Sequence, residues 1–225
     1  VYAFVRYMSS KLPENSLTAV SNGACCVVGN QAYVIQKGSR MANNSAIASM
    51  GYGLPAAIGT CIGGKRRPTI CLEGDGSIMM NLQELQTIIT NKLPIKIFLI
   101  NNNGYHSIRL TQNNLFKEHC KIGIGPESGD LSFPEFKKIA EAFGYKYYSA
   151  SSNEEMKKTV DEVLKEEGPV FCEIFTDTKQ VWEPKSSTKR LEDGTLVSPP
   201  LEDLAPFLPR EELKKQMFIP LMDEE

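Results

Sequence analysis

Residues 74–105 read GDGSIMMNLQELQTIITNKLPIKIFLINNNGY. An acid sits between two glycines at one end, and three asparagines and a glycine close the other. Between them, Leu82, Leu85 and Ile89 recur at helical spacing, and IKIFLI forms an unbroken apolar run. Apolar residues three to four apart line one face of a helix, whereas a continuous apolar run suits a strand covered on both faces. The stretch therefore predicts a loop, a helix over 81–91, a strand over 94–100 and a second loop.

The same alternation extends in both directions. Strands are expected over 16–20 (SLTAV), 67–73 (RPTICLE), 145–149 (YKYYS) and 169–175 (PVFCEIF). Helices are expected over 24–36, 53–63, 133–143 and 153–166, the third with Ser132 of SFPEF as N-cap and proline near its first turn. VYAFVRYMSSKL, at 1–12, has the pattern of an amphipathic helix and not of a signal peptide. Strand–helix alternation argues for an α/β fold, a doubly wound, mainly parallel sheet with helices on both faces and right-handed crossovers. Past Asp177 the texture changes: Pro184, Pro199, Pro200, Pro206, Pro209 and Pro220 punctuate a charged segment. The expected organisation is a domain over 1–177 and an extended C-terminal tail over 178–225. That tail would pack over the domain or a partner and carry a short helix near 211–216.

Bulk properties bound the function. The chain has 225 residues and a net charge of −2, without a long basic run, which excludes a nucleic-acid or anionic-membrane surface as the main partner. Its apolar runs are too short to span a bilayer. Cys25, Cys26, Cys61, Cys71, Cys120 and Cys172 form no CxxC and several lie in apolar runs, so they read as buried free thiols in a reducing, cytoplasmic setting. The sequence opens on Val1, which reads as a piece cut from a longer protein, with any targeting signal upstream.

In an open parallel sheet, ligands bind beyond the carboxyl ends of the strands. Three loops fall there: SNGAC (21–25), GDGS (74–77) and NNNGYH (101–106). If the strands flanking the 81–91 helix are parallel neighbours, Asp75 and the asparagines meet. One carboxylate (Asp75), one amide oxygen (Asn102) and a backbone carbonyl at the Gly104 turn suit magnesium, with two phosphate oxygens and a water completing the octahedron. The glycines let backbone N–H groups approach a phosphate closely. A helix N-terminus just beyond Gly76 would add about 0.3–1 kcal/mol. Either motif alone reads as turn formers in a loop; the two together, each after a strand and joined by a helix, favour the site. There is no GxxxxGK[ST], and GIGPESG (123–129) makes a poor dinucleotide loop because no convincing strand precedes it and Pro126 interrupts it. His106 is a candidate to face a substrate, its alternative being a solvent-facing loop histidine; His119 reads as surface. Neither forms a metal-ligand pattern with the cysteines.

GDGS, a helix and strand, then an apolar run ending in NN is similar to the thiamine diphosphate signature. The wider match is to the C-terminal, diphosphate-binding domain of the acetolactate synthase (acetohydroxyacid synthase) family: ASMGYGLPAAIG (48–59) resembles that family's GTMGFGLPAAIG. The resemblance covers roughly 16–175 and rests on three segments agreeing in order and spacing. It implies the thiamine diphosphate-binding fold, with Asp75, Asn102 and the Gly104 carbonyl on magnesium. Gly76 and Ser77 would bind the diphosphate through backbone and hydroxyl. Met50 would prop the cofactor into its bent form, and the Ala48 carbonyl would accept a hydrogen bond from the pyrimidine amino group. Ser49, Gly74, Tyr105 and His106 belong to the same matched segments and are counted with the cofactor site. The family's phosphate loop often reads GQH, but this chain has Gly23, Ala24 and Cys25, so the contact must come from backbone amides or Asn22.

The resemblance also implies what this chain does not itself carry. The glutamate that activates the cofactor belongs to a pyrimidine-binding domain, of the same or a partner chain, so a homodimer or homotetramer is expected. The flavin of some family members binds a middle domain, which leaves no expectation of one here. The implied reaction is decarboxylation of a 2-oxo acid such as pyruvate and ligation of the product to a second 2-oxo acid. Alternatives are another thiamine diphosphate-dependent decarboxylase or carboligase, a non-catalytic cofactor-binding module, or a nucleotide-binding α/β domain.

Overall fold

Six strands form one parallel sheet in the computed structural model, which describes residues 1–116 and 121–219. His119, Cys120 and Pro220 lie outside the described residues. The strands are β1 (Leu17–Val20), β2 (Arg40–Asn43), β3 (Thr69–Gly74), β4 (Ile95–Asn101), β5 (Lys146–Ala150) and β6 (Val170–Phe175), in the order β2-β1-β3-β4-β6-β5. The chain leaves β1 for β2 on one side and β3 for β4 on the other. The topological switch point therefore lies between the carboxyl ends of β1 and β3, where this class of sheet opens a crevice.

The apolar run of the opening stretch becomes β4, buried along Ile95–Ile100 and paired on both edges, with β3 and β6. Ile95, Ile97 and Leu99 share a core with residues of α3 (Gly53–Gly63), α5 (Glu84–Thr90) and α7 (Phe136–Ala142). On the other face, Phe98 meets Phe4 of α1 (Tyr2–Ser10), ring centroids 5.3 Å apart. Helix α1 in turn packs on α2 (Ala24–Ala32) and α8 (Asn153–Val163). Helices thus cover both faces, which is why strands here read as continuous and not alternating apolar runs.

Several expected boundaries move, each for a local reason. The helix expected over 24–36 stops at Ala32, because Tyr33 turns extended and its hydroxyl bonds Thr18 Oγ1 at 2.6 Å. The chain then forms β2, a short edge strand that sequence reading missed; RMAN lacks an apolar run and pairs on one side only. The helix expected over 81–91 begins at Glu84, behind a separate four-residue helix, α4 (Asp75–Ile78), with Gly74 as its N-cap. The helix expected over 133–143 begins at Phe136, with Glu135 and not Ser132 at the N-cap; Pro134 holds the residue before it out of helical conformation. Helix α8 ends at Val163, short of the expected 166. An unforeseen helix, α6 (His106–Leu115), follows NNNGY.

The described cysteines Cys25, Cys26, Cys61, Cys71 and Cys172 are buried and unpaired. The chain divides into two compact units between Gln180 and Val181. The second holds a hairpin of β7 (Lys189–Arg190) and β8 (Leu196–Val197) and the short helix α9 (Arg210–Gln216). Within it, Arg210 grips Asp203 through two bonds of 2.6 and 2.9 Å.

Candidate functional site

Pairing of β3 with β4 sets Gly74 beside Ile100, so the loops that follow them start level. They meet at Asp75. Its Oδ1 accepts the N–H of Gly76 (2.9 Å) and its Oδ2 accepts the N–H of Gly104 (2.8 Å). Asp75 is only 2% exposed, and burial pushes its carboxyl up to about 6 despite those amides and the nearby Arg109 charge. Beside it, Asn102 is buried and its Oδ1 has no hydrogen-bond partner among the described residues. A buried oxygen without a donor is costly unless something fills the position. The Gly104 carbonyl accepts the N–H of His106, at 3.0 Å, along the backbone. No cluster of three or more His, Cys, Asp or Glu side chains among the described residues could hold a metal. The donor set is therefore one carboxylate, one amide oxygen and one carbonyl, which fits a hard divalent cation sharing its shell with a ligand's oxygens.

A second knot ties the other loops. Ser21 and Ser77 share a hydroxyl–hydroxyl bond of 2.8 Å, and the Gly51 N–H donates to Ser77 Oγ at 2.9 Å. Asn81 Nδ2 donates to the Gly51 carbonyl at 2.8 Å. The Ser77 hydroxyl, read from sequence as a diphosphate contact, is thus buried and engaged inside the protein. Beneath the knot lies Glu73, fully buried, whose carboxyl is pushed up by burial and whose Oε2 has no hydrogen-bond partner among the described residues. Next to Gly51, Met50 stays 43% exposed, as do neighbouring Met79 and Met80 in similar degree. Ala48 adopts φ +53, a left-handed conformation that the glycine it replaces would take without strain.

After β1, Gly23 caps α2 with φ +57 and no side-chain cap, leaving the first amides of the helix without a side-chain partner. Ala24 and Cys25 are buried, and burial with the Glu73 and Asp75 charges pushes the Cys25 thiol well up. Cys25 therefore offers its backbone and not its side chain; Asn22 is half-buried and Ser49 exposed. Tyr105 lies across the GDGS turn: a Cβ at Gly76 would fall 2.3 Å from its ring, so only glycine fits there.

His106 is neither a loop histidine in solvent nor an open ring. It is 3% exposed, with Nδ1 at 2.9 Å from Arg109 Nη1 and Nε2 at 2.6 Å from the Gln180 carbonyl. A guanidinium only donates, so Nδ1 accepts and Nε2–H donates, which makes the ring a neutral bridge.

Sequence reading missed three residues. Glu73 carried a signal, a charge in a strand expected to be buried on both faces. Ser21 was seen only as part of a loop. Arg109 had none, because α6 was not anticipated.

A doubly wound sheet with an enclosed carboxylate, an unpartnered amide oxygen and amide-lined loops at its switch point defines a cofactor-binding α/β domain. Residues 21–174 match the family described as thiamine pyrophosphate enzyme, C-terminal TPP binding domain, and the chain belongs to that family. It is 36% identical to the acetolactate synthase large subunit of Porphyra purpurea over 140 residues, 61% of this chain and 23% of that protein. It is 26% identical to the acetolactate synthase isozyme 1 large subunit of Escherichia coli (strain K12) over 179 residues, 80% of this chain and 31% of that protein. It is 29% identical to acetolactate synthase 1, chloroplastic, of Nicotiana tabacum over 164 residues, 72% of this chain and 24% of that protein. The chain thus spans about a quarter to a third of the length of these relatives. No helix among the described residues is long and apolar enough to cross a membrane.

Proposed function

We propose that this chain is the diphosphate- and magnesium-binding domain of an enzyme that decarboxylates a 2-oxo acid such as pyruvate and ligates the product to a second 2-oxo acid. The observation that carries the reading is the meeting of Asp75 with the Gly104 amide beside the unpartnered Asn102 Oδ1, in a chain of the thiamine pyrophosphate enzyme family. Its similarity to proteins named acetolactate synthase supports the choice of reaction.

Asp75, Asn102 Oδ1 and the Gly104 carbonyl hold the magnesium. The amides at Gly23, Ala24, Cys25 and Ser77 would bind the diphosphate oxygens, with Asn22 beside them, while the Gly76 N–H, expected to join them, is held by Asp75 Oδ1. Gly74 ends β3 at the edge of the site, and Tyr105 closes over Gly76. Thiamine diphosphate, when bound, supplies the electron sink for loss of carbon dioxide. Met50 would support the thiamine diphosphate and the Ala48 carbonyl would accept a hydrogen bond from it, with Ser49 between them in the chain. The activating glutamate comes from a pyrimidine-binding domain of the same or a partner chain, in a homodimer or homotetramer. The five buried free thiols among the described residues suit a reducing compartment such as the cytoplasm.

Calorimetry with thiamine diphosphate and with ATP, each with and without magnesium, tests the reading. Magnesium-dependent binding of thiamine diphosphate is expected; tighter magnesium-dependent binding of ATP would sink it in favour of a nucleotide-binding domain.

A further inference from the structure

We infer that Arg109 is the positioning residue of the magnesium loop: its buried guanidinium gathers the carbonyls of Asn102 and Asn103, the ring of His106 and the carboxylate of Glu127 into one clamp. The inference rests on the metal reading of Asn102 and Gly104 given above.

The loop needs a clamp. Asn103 and Gly104 take φ +57 and +134 in succession, a path that L-residues resist. The path is also pressed against a neighbouring segment. Tyr105 N–H donates to the Ile124 carbonyl at 2.7 Å, and a Cβ at Gly104 would lie 2.1 Å from that same oxygen. Gly125 in turn runs against Asn103 and Gly104, leaving 2.7 Å between its own built Cβ and the Asn103 carbonyl. Ile124 and Gly125 of GIGPESG thus form the wall on which this loop lies. A backbone held this way persists only where its surroundings over-determine it.

Arg109 supplies that over-determination. It is 3% exposed. Nη1 donates to the Asn102 carbonyl at 3.1 Å and to His106 Nδ1 at 2.9 Å; Nη2 donates to the Asn103 carbonyl at 2.9 Å. Nε donates to Glu127 Oε2 at 3.1 Å, from the 3-10 turn Pro126–Ser128. The bonds leave in several directions in one plane, which a guanidinium allows and an ammonium does not. With its carbonyl pinned, Asn102 has a fixed backbone from which to present Oδ1. Glu127 offsets a positive charge that would otherwise oppose a cation at Asp75. His106 carries the clamp on to the Gln180 carbonyl at 2.6 Å.

The test uses the full-length protein at saturating thiamine diphosphate. Magnesium affinity is read by titration, and hydrogen exchange of 101–106 is read on the metal-free form. Arg109→Met is expected to weaken magnesium binding by about tenfold or more, as loss of several charge-assisted bonds implies. Exchange of 101–106 should quicken while that of β3 and β4 stays unchanged. Arg109→Lys, which retains charge without the fork, should resemble Arg109→Met and not the wild type. Asn102→Ala serves as the control. If Asn102→Ala loses magnesium while both Arg109 variants stay within about twofold of wild type, the clamp is overturned. If Asn102→Ala also binds normally, the metal reading itself fails and the clamp with it. Should Arg109→Met not fold, Glu127→Ala decides: affinity about threefold weaker supports the clamp, since an uncompensated buried charge is left behind, and unchanged affinity overturns it.

Discussion

Asp75→Asn should stabilise the metal-free protein at pH 8 and destabilise it at pH 4.5. Burial lifts the native carboxyl from 3.8 to about 6. Because the native value is the higher one, the native state binds its proton more tightly than the unfolded chain does. Ionised Asp75 therefore penalises folding above about pH 6, and the penalty fades as pH falls from 6 towards 3.8. The gap, 6 − 3.8, at about 1.36 kcal/mol per pH unit, gives a penalty of about 3 kcal/mol at pH 8. Asparagine removes the charge but turns an NH2 towards either the Gly76 or the Gly104 amide, which costs about 1–2 kcal/mol. The net gain at pH 8 is about 1–2 kcal/mol; near pH 4.5 about 1 kcal/mol of the penalty is left, so the substitution costs up to about 1 kcal/mol net. Urea unfolding of the chain with EDTA, followed by far-UV circular dichroism, measures both. Magnesium and thiamine diphosphate should reverse the pH 8 order, since ligand at about a hundred times its Kd adds about 2.7 kcal/mol to a protein that binds it. A metal-free Asp75→Asn protein that is less stable than wild type at pH 8 as well as at pH 4.5 would refute the reasoning.

Three further outcomes are expected. Gly76→Ala drives a Cβ to 2.3 Å from the Tyr105 ring, so stability should fall by about 1–3 kcal/mol and cofactor affinity with it, by melting and calorimetry. Ala48→Gly relieves a φ of +53 and should raise stability by about 1 kcal/mol, seen as a higher urea midpoint with unchanged slope. Ser152→Ala removes the hydroxyl that accepts the Glu155 N–H at 3.2 Å at the start of α8; the loss should be about 1 kcal/mol, with thiamine diphosphate affinity unaltered.

The sheet was legible because β3, β4 and β6 are buried along almost their whole length and read as mainly apolar runs, with Glu73 and Glu173 the charges that interrupt β3 and β6. Edge strand β2 was not, since RMAN is only partly buried and its place depends on parallel pairing with a distant β1. Asp75 and Asn102 could be found from residue type and loop position, because a lone acid and amide beyond two strand ends leave few other reasons to be there. Ser77 could be found but its use could not: one hydroxyl in a loop looks the same whether it faces a ligand or, as here, Ser21 and Gly51. His106 failed likewise. Its partners, Arg109 and Gln180, lie on an unforeseen helix and 74 residues away, and no local pattern encodes either.

The two support networks divide the site between them. Ser21, Ser77, Gly51 and Asn81 bind together the loops on the diphosphate side. Arg109, His106 and Glu127 hold the loop on the metal side. Asp75 is where they meet, with one oxygen on the amide of its own turn and the other on Gly104 of the opposite loop. A carboxylate buried in this way gains too little from two amides to offset its desolvation, as its raised pKa records. Asn102 Oδ1, buried and unpartnered, carries a cost of the same kind. Both costs fall on the atoms assigned to magnesium, whereas Ser21, Ser77, Asn81, Arg109 and His106 around them are hydrogen-bonded, with Glu73 Oε2 beneath the knot as the exception. Rigid, largely hydrogen-bonded surroundings keep the strained and desolvated donors from collapsing onto one another, and that is the condition under which a cation can recover what their desolvation costs.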